Sequence, residues 1–190
     1  MSEDDSDEST DQETAIVLDV LPHGRTEDDR PQYEKEPLAF VLDHAEFTLY
    51  ELTLEEAELS IGDRLDVYNS SAVRRTTEID YEDLPRGASS ELEYVIEDLV
   101  EDEEQEFVDF YNDAQPITLR LHQLNLLPGI GKKLRNDILD ARKRRPFESF
   151  EDIEDRIDGL HDPKDVLVER IFEELKEDDL KYQLFVREDE

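Results

Sequence analysis

Residues 124–133 read Leu-Asn-Leu-Leu-Pro-Gly-Ile-Gly-Lys-Lys, and the expected fold is built around them. Pro128 presets its backbone angle, while Gly129 and Gly131 remove side chains where two helices meet through a tight turn. Ile130 cannot bind an anion, so its expected role is to plug the turn into a core. Lys132 and Lys133 open the second helix. The first amides of that helix lack intrahelical partners and carry the positive end of its dipole. A phosphate oxygen can dock there without any particular base beside it.

The string resembles the helix-hairpin-helix motif, which binds nucleic-acid backbone without reading sequence. The charge of the chain at first argues against such a ligand, because 55 acidic residues against 21 Lys and Arg give a formal net charge of −34. Its distribution resolves the conflict. Between Arg120 and Phe147 stand eight Lys or Arg (Arg120, Lys132, Lys133, Arg135, Arg142, Lys143, Arg144 and Arg145) and only two acids, Asp137 and Asp140. One basic island in a diffusely acidic chain keeps positive charge where a polyanion would need it. The acids are spread over surface-type positions and lysines number seven, which favours adaptation to a salty cytoplasm over mimicry of nucleic acid. At high ionic strength screening shortens to about 3 Å, so self-repulsion fades while short amide contacts persist.

Cysteine is absent, which excludes disulfides, thiolate metal sites and cysteine nucleophiles. No apolar run approaches the roughly 18–20 residues that cross a bilayer, and the N-terminus (MSEDDSDEST) is acidic where a signal peptide would be basic and then apolar. A cytoplasmic protein without a membrane partner is expected.

The fold class read from the pattern is α+β, a small N-terminal OB-like β-barrel followed by an all-α helix-hairpin-helix domain. Residues 1–13 are polar, acidic and aperiodic, and read as a disordered tail. Residues 14–77 carry the barrel: strand-like runs at Thr14–Leu21, Leu38–Leu42, Glu46–Leu52, Arg64–Tyr68 and Val73–Thr77 predict a small closed barrel. Thr53–Glu56 has capping-box spacing and predicts a helical turn. Residues 78–114 form a connector, in which a second capping box at Ser90–Glu93 predicts one amphipathic helix of about 22 residues through Tyr111. Residues 115–160 are the hairpin region. A helix starting at Gln115-Pro116 is expected to bury Ile117, Leu119, Leu121, Leu124 and Leu127, and its successor to bury Leu134, Ile138 and Ala141 before Pro146. Ser149 is expected to cap a short helix. Within residues 161–190, Asp162-Pro163 starts the last helix and the alternation from Leu180 to Val186 predicts a final strand.

The four histidines show no metal spacing, and His122 reads as a core residue. Among so many carboxylates, chance alone supplies pairs, so no nuclease site is assigned. No glycine-rich nucleotide loop occurs. Candidate base-stacking aromatics on the barrel are Phe40, Phe47, Tyr50 and Tyr68, with Arg64, Arg74 and Arg75 nearby. At the end of the hairpin's second helix, Arg142 to Arg145 exceed what a helix dipole needs and predict further phosphate contacts.

From Gln115 to Ile157 the chain resembles an uncharacterised archaeal family that joins an N-terminal OB-like barrel to a C-terminal helix-hairpin-helix. Gln115 to His122, Leu126 to Lys133 and Arg145 to Ile153 carry the resemblance, supported by Tyr81–Leu84 and Leu21–Arg25. It implies a nucleotide- or RNA-related role, and carries phosphate contact onto Gly129, Gly131, Lys132 and Lys133. At Gly159–Asp162 the chain departs from a tandem Gly-x-Gly pattern.

The expected function is thus a non-enzymatic nucleic-acid-binding protein of a salt-adapted archaeon, linked to translation or to rRNA or tRNA metabolism. RNA stands ahead of DNA as its ligand, and ribosome or transcription components are further expected partners. Pro128, Gly129, Ile130, Gly131, Lys132, Lys133, Arg135, Arg142, Lys143, Arg144 and Arg145 form the expected phosphate site. No catalytic residue, metal or cofactor is expected. The alternatives are a protein-interaction adaptor that uses the acidic surface, and a metal-dependent nuclease or DNA-repair accessory.

Overall fold

A computed structural model gives the architecture, with residues 13–186 described. The reading of residues 1–13 as a tail falls outside them but for Glu13. The class is α+β, with a five-stranded antiparallel sheet curled into a half-barrel and then five helices. The described residues divide into two compact units, 13–95 with 185–186, and 96–184.

In the first unit the strands are β1 (Ala15–Leu21), β2 (Leu38–Asp43), β3 (Thr48–Leu54), β4 (Arg64–Leu65) and β5 (Val73–Glu78), in the order β4-β1-β2-β3-β5. Alternation sets the concave core: Ala15, Val17, Ala39, Val41, Leu52 and Leu54 are buried together with Leu65 and Val67. Ile16, Leu18, Phe40 and Leu42 are buried as well, so β1 and β2 read as nearly continuous apolar runs. A bulge between Val17 and Asp19 bends β1.

The barrel is open, not closed as expected. Among the described residues β4 and β5 share no ladder, and the Thr76 hydroxyl, donating to the Val67 carbonyl at 3.0 Å, links their neighbourhoods. The strand expected to reach Tyr68 stops at Leu65 because Asp66 folds the chain. Its carboxylate accepts the amides of Tyr68 (2.9 Å) and Asn69 (3.2 Å) and the Asn69 side chain (2.8 Å). These bonds hold its pKa below the usual carboxylate value. No helical turn forms at Thr53–Glu56, since β3 continues through Leu54.

Helix α1 (Arg86–Asp102) begins four residues before the Ser90 capping box. The Ser90 hydroxyl instead donates back to the Arg86 carbonyl at 2.9 Å, the interior use of serine that competes with capping. Gly87 permits the close approach of this first turn to Asp19, because a Cβ there would lie 2.5 Å from an Asp19 carboxylate oxygen. The expected single helix is two: Glu103 leaves helical geometry (φ −107°, ψ 40°) and α2 (Glu104–Asp113) follows.

In the second unit come α3 (Lys132–Arg144), α4 (Phe150–Arg156) and α5 (Pro163–Lys176). Ser149 caps α4 by accepting the Asp152 amide at 2.9 Å, and Pro163 sits in the first turn of α5. The helix expected from Gln115 is absent. Residues 116 and 122 close a loop through an isolated bridge, and only Gln123–Leu126 form a 3-10 turn. The Thr118 hydroxyl accepts the amides of Arg120 (3.2 Å) and Leu121 (3.0 Å), a side-chain turn that outcompetes helix. Leu119, expected in the core, stands fully exposed at its tip. The strand expected at Leu180–Val186 does not form either, because α5 takes its backbone groups. Arg170 donates to the Tyr182 carbonyl at 2.7 Å, and Glu174 accepts the Leu184 amide at 2.8 Å.

Candidate nucleic-acid interface

The turn before α3 is built from both sides. Leu124, Leu127 and Ile130 are buried, so the apolar residues pin its base as the sequence suggests. The Ile130 amide donates to the Leu127 carbonyl at 3.2 Å, and Gly129 takes φ +78°, a left-handed conformation that favours glycine. Asn125 braces the turn. Its Oδ1 accepts the His122 amide (3.1 Å) and an Arg135 Nη1 hydrogen (3.1 Å), while its Nδ2 donates to the Ile130 carbonyl (3.4 Å).

Gly131 has a different reason to be glycine. Its backbone is extended (φ −90°, ψ −166°), open to any residue, and a Cβ on it would meet nothing within 4 Å. Neither strain nor packing inside the chain calls for a bare Cα there. As the N-cap of α3 it offers no side chain to the helix, where Ser, Thr, Asp or Asn would cap better. Among the described residues no protein group accepts from the amides of Gly131, Lys132, Lys133 or Leu134, and the helical ladder starts with Arg135 to Gly131 at 3.0 Å. Gly129, Gly131, Lys132 and Lys133 are exposed. The arrangement is an uncapped helix terminus with no carboxylate in its first turn.

The basic residues divide into two groups. Lys132, Lys143 and Arg144 are exposed with no side-chain partner among the described residues, and Lys133 makes only an exposed ion pair with Asp137 at 2.9 Å. Such pairs contribute a few tenths of a kcal/mol and open readily. Arg145 is exposed and reaches Asp152 at 3.3 Å. Arg135 and Arg142 face inward. Arg135 is half-buried on Asn125, and Arg142 donates to the Tyr111 carbonyl at 3.1 Å, with burial lowering its pKa from the usual guanidinium value. They hold the hairpin's frame; Pro128 and Ile130 serve its backbone and core.

Arg156 was not picked out by sequence reasoning, yet it terminates α3. It donates to the carbonyls of Ala141 and Arg145, both at 2.8 Å, and lies 4.6 Å over the Phe147 ring. One internal cation thus serves the negative helix end, leaving Lys143 and Arg144 unused by the fold. Its only trace in the sequence is the Asp152–Arg156 spacing of four.

His122 is 5 % exposed, and its Nδ1 accepts the Leu124 amide at 3.1 Å, capping the 3-10 turn. Burial, with the charges of Arg142 and Arg135, lowers its pKa below the ordinary histidine value. A depressed histidine stabilises above its unfolded pKa of about 6.5 and loses that contribution as pH falls through the folded value. The thermal midpoint should therefore be level above about pH 6.5 and fall below it. His122→Asn should flatten this step, and an unchanged step would place it on another group.

The half-barrel offers a different surface. Phe40 and Phe47 are core residues. Tyr50 and Tyr68 meet edge to face with hydroxyls 3.1 Å apart, in a cleft of about 400 Å³ whose lining includes Asp43, Glu46 and Asp66. Arg74 pairs with Glu36 and Glu55, and Arg75 leans on Thr53. Among the described residues no arginine lines this acidic cleft, and Arg74 and Arg75 are engaged elsewhere, unlike a basic stacking groove.

A family model described as a protein of unknown function, DUF655, matches residues 11–187. This chain belongs to the DUF655 family. The DUF655 protein is 39 % identical over 180 residues to the uncharacterized protein MJ0038 of Methanocaldococcus jannaschii, covering 91 % of this chain and 79 % of that one. It is also similar to the crystal structure of Af1531 from Archaeoglobus fulgidus, with a TM-score of 0.83, 42 % identity, and coverage of 91 % of this chain and 98 % of that one. Among its described residues no helix is long and apolar enough to cross a membrane, and no three His, Asp or Glu side chains converge as a metal site.

Proposed function

We propose that this DUF655 protein binds nucleic acid, RNA ahead of DNA, by holding the sugar–phosphate backbone at the turn before α3. Gly131 carries the reading. It is a glycine that the chain's own folding does not require, at the head of a helix whose first amides have no partner among the described residues. A phosphate oxygen fills that place, since it accepts several N–H groups and is favoured by the helix dipole. Lys132 and Lys133 flank it, and Lys143 and Arg144 extend the footprint. Peptide amides contact no base, so sequence selectivity is absent. In a salt-rich cytoplasm these short contacts survive screening that removes long-range steering.

Fluorescence anisotropy of a labelled single-stranded RNA across a potassium chloride series tests this. Three to five phosphate contacts predict a log–log slope of about −2 to −3.5, with little change between unrelated sequences. A slope near zero, or affinity that follows sequence, would contradict it.

A further inference from the structure

The turn before α3 has a twin. Leu127-Pro128-Gly129-Ile130 and Ile157-Asp158-Gly159-Leu160 share one backbone form, although the second lacks the Gly-x-Gly spelling. Gly129 and Gly159 take φ +78° and +89°. The Ile130 amide reaches the Leu127 carbonyl at 3.2 Å, and the Leu160 amide reaches the Ile157 carbonyl at 3.4 Å. Ile130 and Leu160 are each 4 % exposed. One turn feeds α3 and the other α5. They are neighbours, since a Cβ on Gly159 would lie 3.7 Å from a Leu134 methyl in the first turn of α3.

Their anion-binding capacity differs. The first three helical amides of α3 (Lys132, Lys133 and Leu134) are open. At α5 the first position is Pro163, which has no N–H, and the third amide, Asp165, is taken by the Asp162 carboxylate at 3.1 Å. Only the Lys164 amide remains. Asp162 holds φ +47° to make this cap, a strained geometry for a non-glycine residue. Asp155, Asp158, Asp162 and Asp165 are exposed around this turn. Lys164, in the first turn of α5, is drawn to Glu97 and Glu101 at 3.4 and 3.7 Å.

We infer that the two turns act as a strand selector: the α3 turn takes one phosphodiester backbone, and the α5 turn, occupied by its own carboxylate and ringed by others, rejects a second. The ligand is therefore single-stranded nucleic acid. This rests on the proposed backbone grip and adds strand number to it. A duplex brings two rows of phosphate, and a second row reaching the neighbouring turn would meet the exposed carboxylates of Asp158 and Asp162. A plain cationic surface would show the opposite preference, because the duplex has the higher charge density.

The test compares the full chain on a labelled single-stranded RNA and on the same strand annealed to its complement, at one salt concentration. Single-stranded affinity is expected to exceed duplex affinity by about fivefold or more, against the ordering that charge density alone gives. Asp158→Lys/Asp162→Gly keeps a residue suited to positive φ and removes two carboxylates. It should raise duplex affinity about five- to tenfold and steepen the duplex salt slope by about one, leaving single-strand affinity unchanged. Asp158→Lys alone, with the cap intact, should move the same way and carries the test if the double variant loses helix by circular dichroism. Equal or tighter duplex binding by the wild type, or variants that bind duplex as the wild type does, would overturn strand selection alone. A chain that binds neither form would overturn the backbone reading with it.

Discussion

Replacing Arg170 with Met is expected to lower the free energy of unfolding by about 3–5 kcal/mol. Arg170 and Glu174 lie one turn apart on α5 at 6 % and 3 % exposure, and the guanidinium Nε donates to the carboxylate at 2.8 Å. The remaining donors reach the Leu126 carbonyl at 3.3 Å and the Tyr182 carbonyl at 2.7 Å. Methionine keeps most of the volume, so a cavity contributes little. The cost comes from a buried carboxylate that loses its Arg170 guanidinium and from two carbonyls that lose a donor. Arg170→Met/Glu174→Leu should recover much of the loss, since removing both charges removes the desolvation penalty. Urea unfolding of the three proteins checks this, and a single variant within 1 kcal/mol of wild type would show that the pair is not what fixes the C-terminal segment. Leu126 precedes the residues of the α3 turn, so the variant should also bind RNA less well.

Lys132→Glu/Lys133→Glu is expected to abolish most RNA binding while leaving the fold unchanged. Both lysines are exposed, and neither side chain supports packing. A single-stranded phosphate contact with a salt slope of 0.7 is worth about fivefold at roughly 0.1 M salt, so two are worth about 25-fold before the added repulsion of the glutamates. The slope should fall by about 1.4. The loss should be similar on unrelated sequences, because these contacts carry no base information. Isothermal titration with two RNAs of unlike sequence separates the outcomes, and full affinity in the double variant would remove this turn from the mechanism.

The α3 turn was legible in the sequence because its requirements are local: a proline, a left-handed glycine, an apolar plug and an uncapped helix start. The five strands were legible for the same reason, since alternation and β-branched runs mark them. What failed depended on competition between neighbours. Leu119 and its companions have helical spacing, yet the Thr118 hydroxyl captures two amides and turns the chain. Ser90 has capping-box spacing, yet α1 had already started at Arg86. Leu180–Val186 alternates like a strand, but Arg170 and Glu174, distant in sequence, hold its backbone. Within the site, a run of four cations does not reveal that Arg142 turns inward and that Arg156 supplies the helix end. The second turn was hidden for a related reason. Asp158 and His161 stand where Pro128 and Gly131 do, so the spelling changed while the left-handed glycine and the buried plug were kept.

Backbone amide shifts of the folded chain, followed by NMR during titration with single-stranded RNA, test the central claim most directly. The largest changes should fall on Gly131, Lys132 and Lys133, with Gly129 beside them and the amides around Asp162 nearly still. Movement centred on Tyr50 and Tyr68 in the half-barrel, with the α3 turn unaffected at saturation, would contradict it.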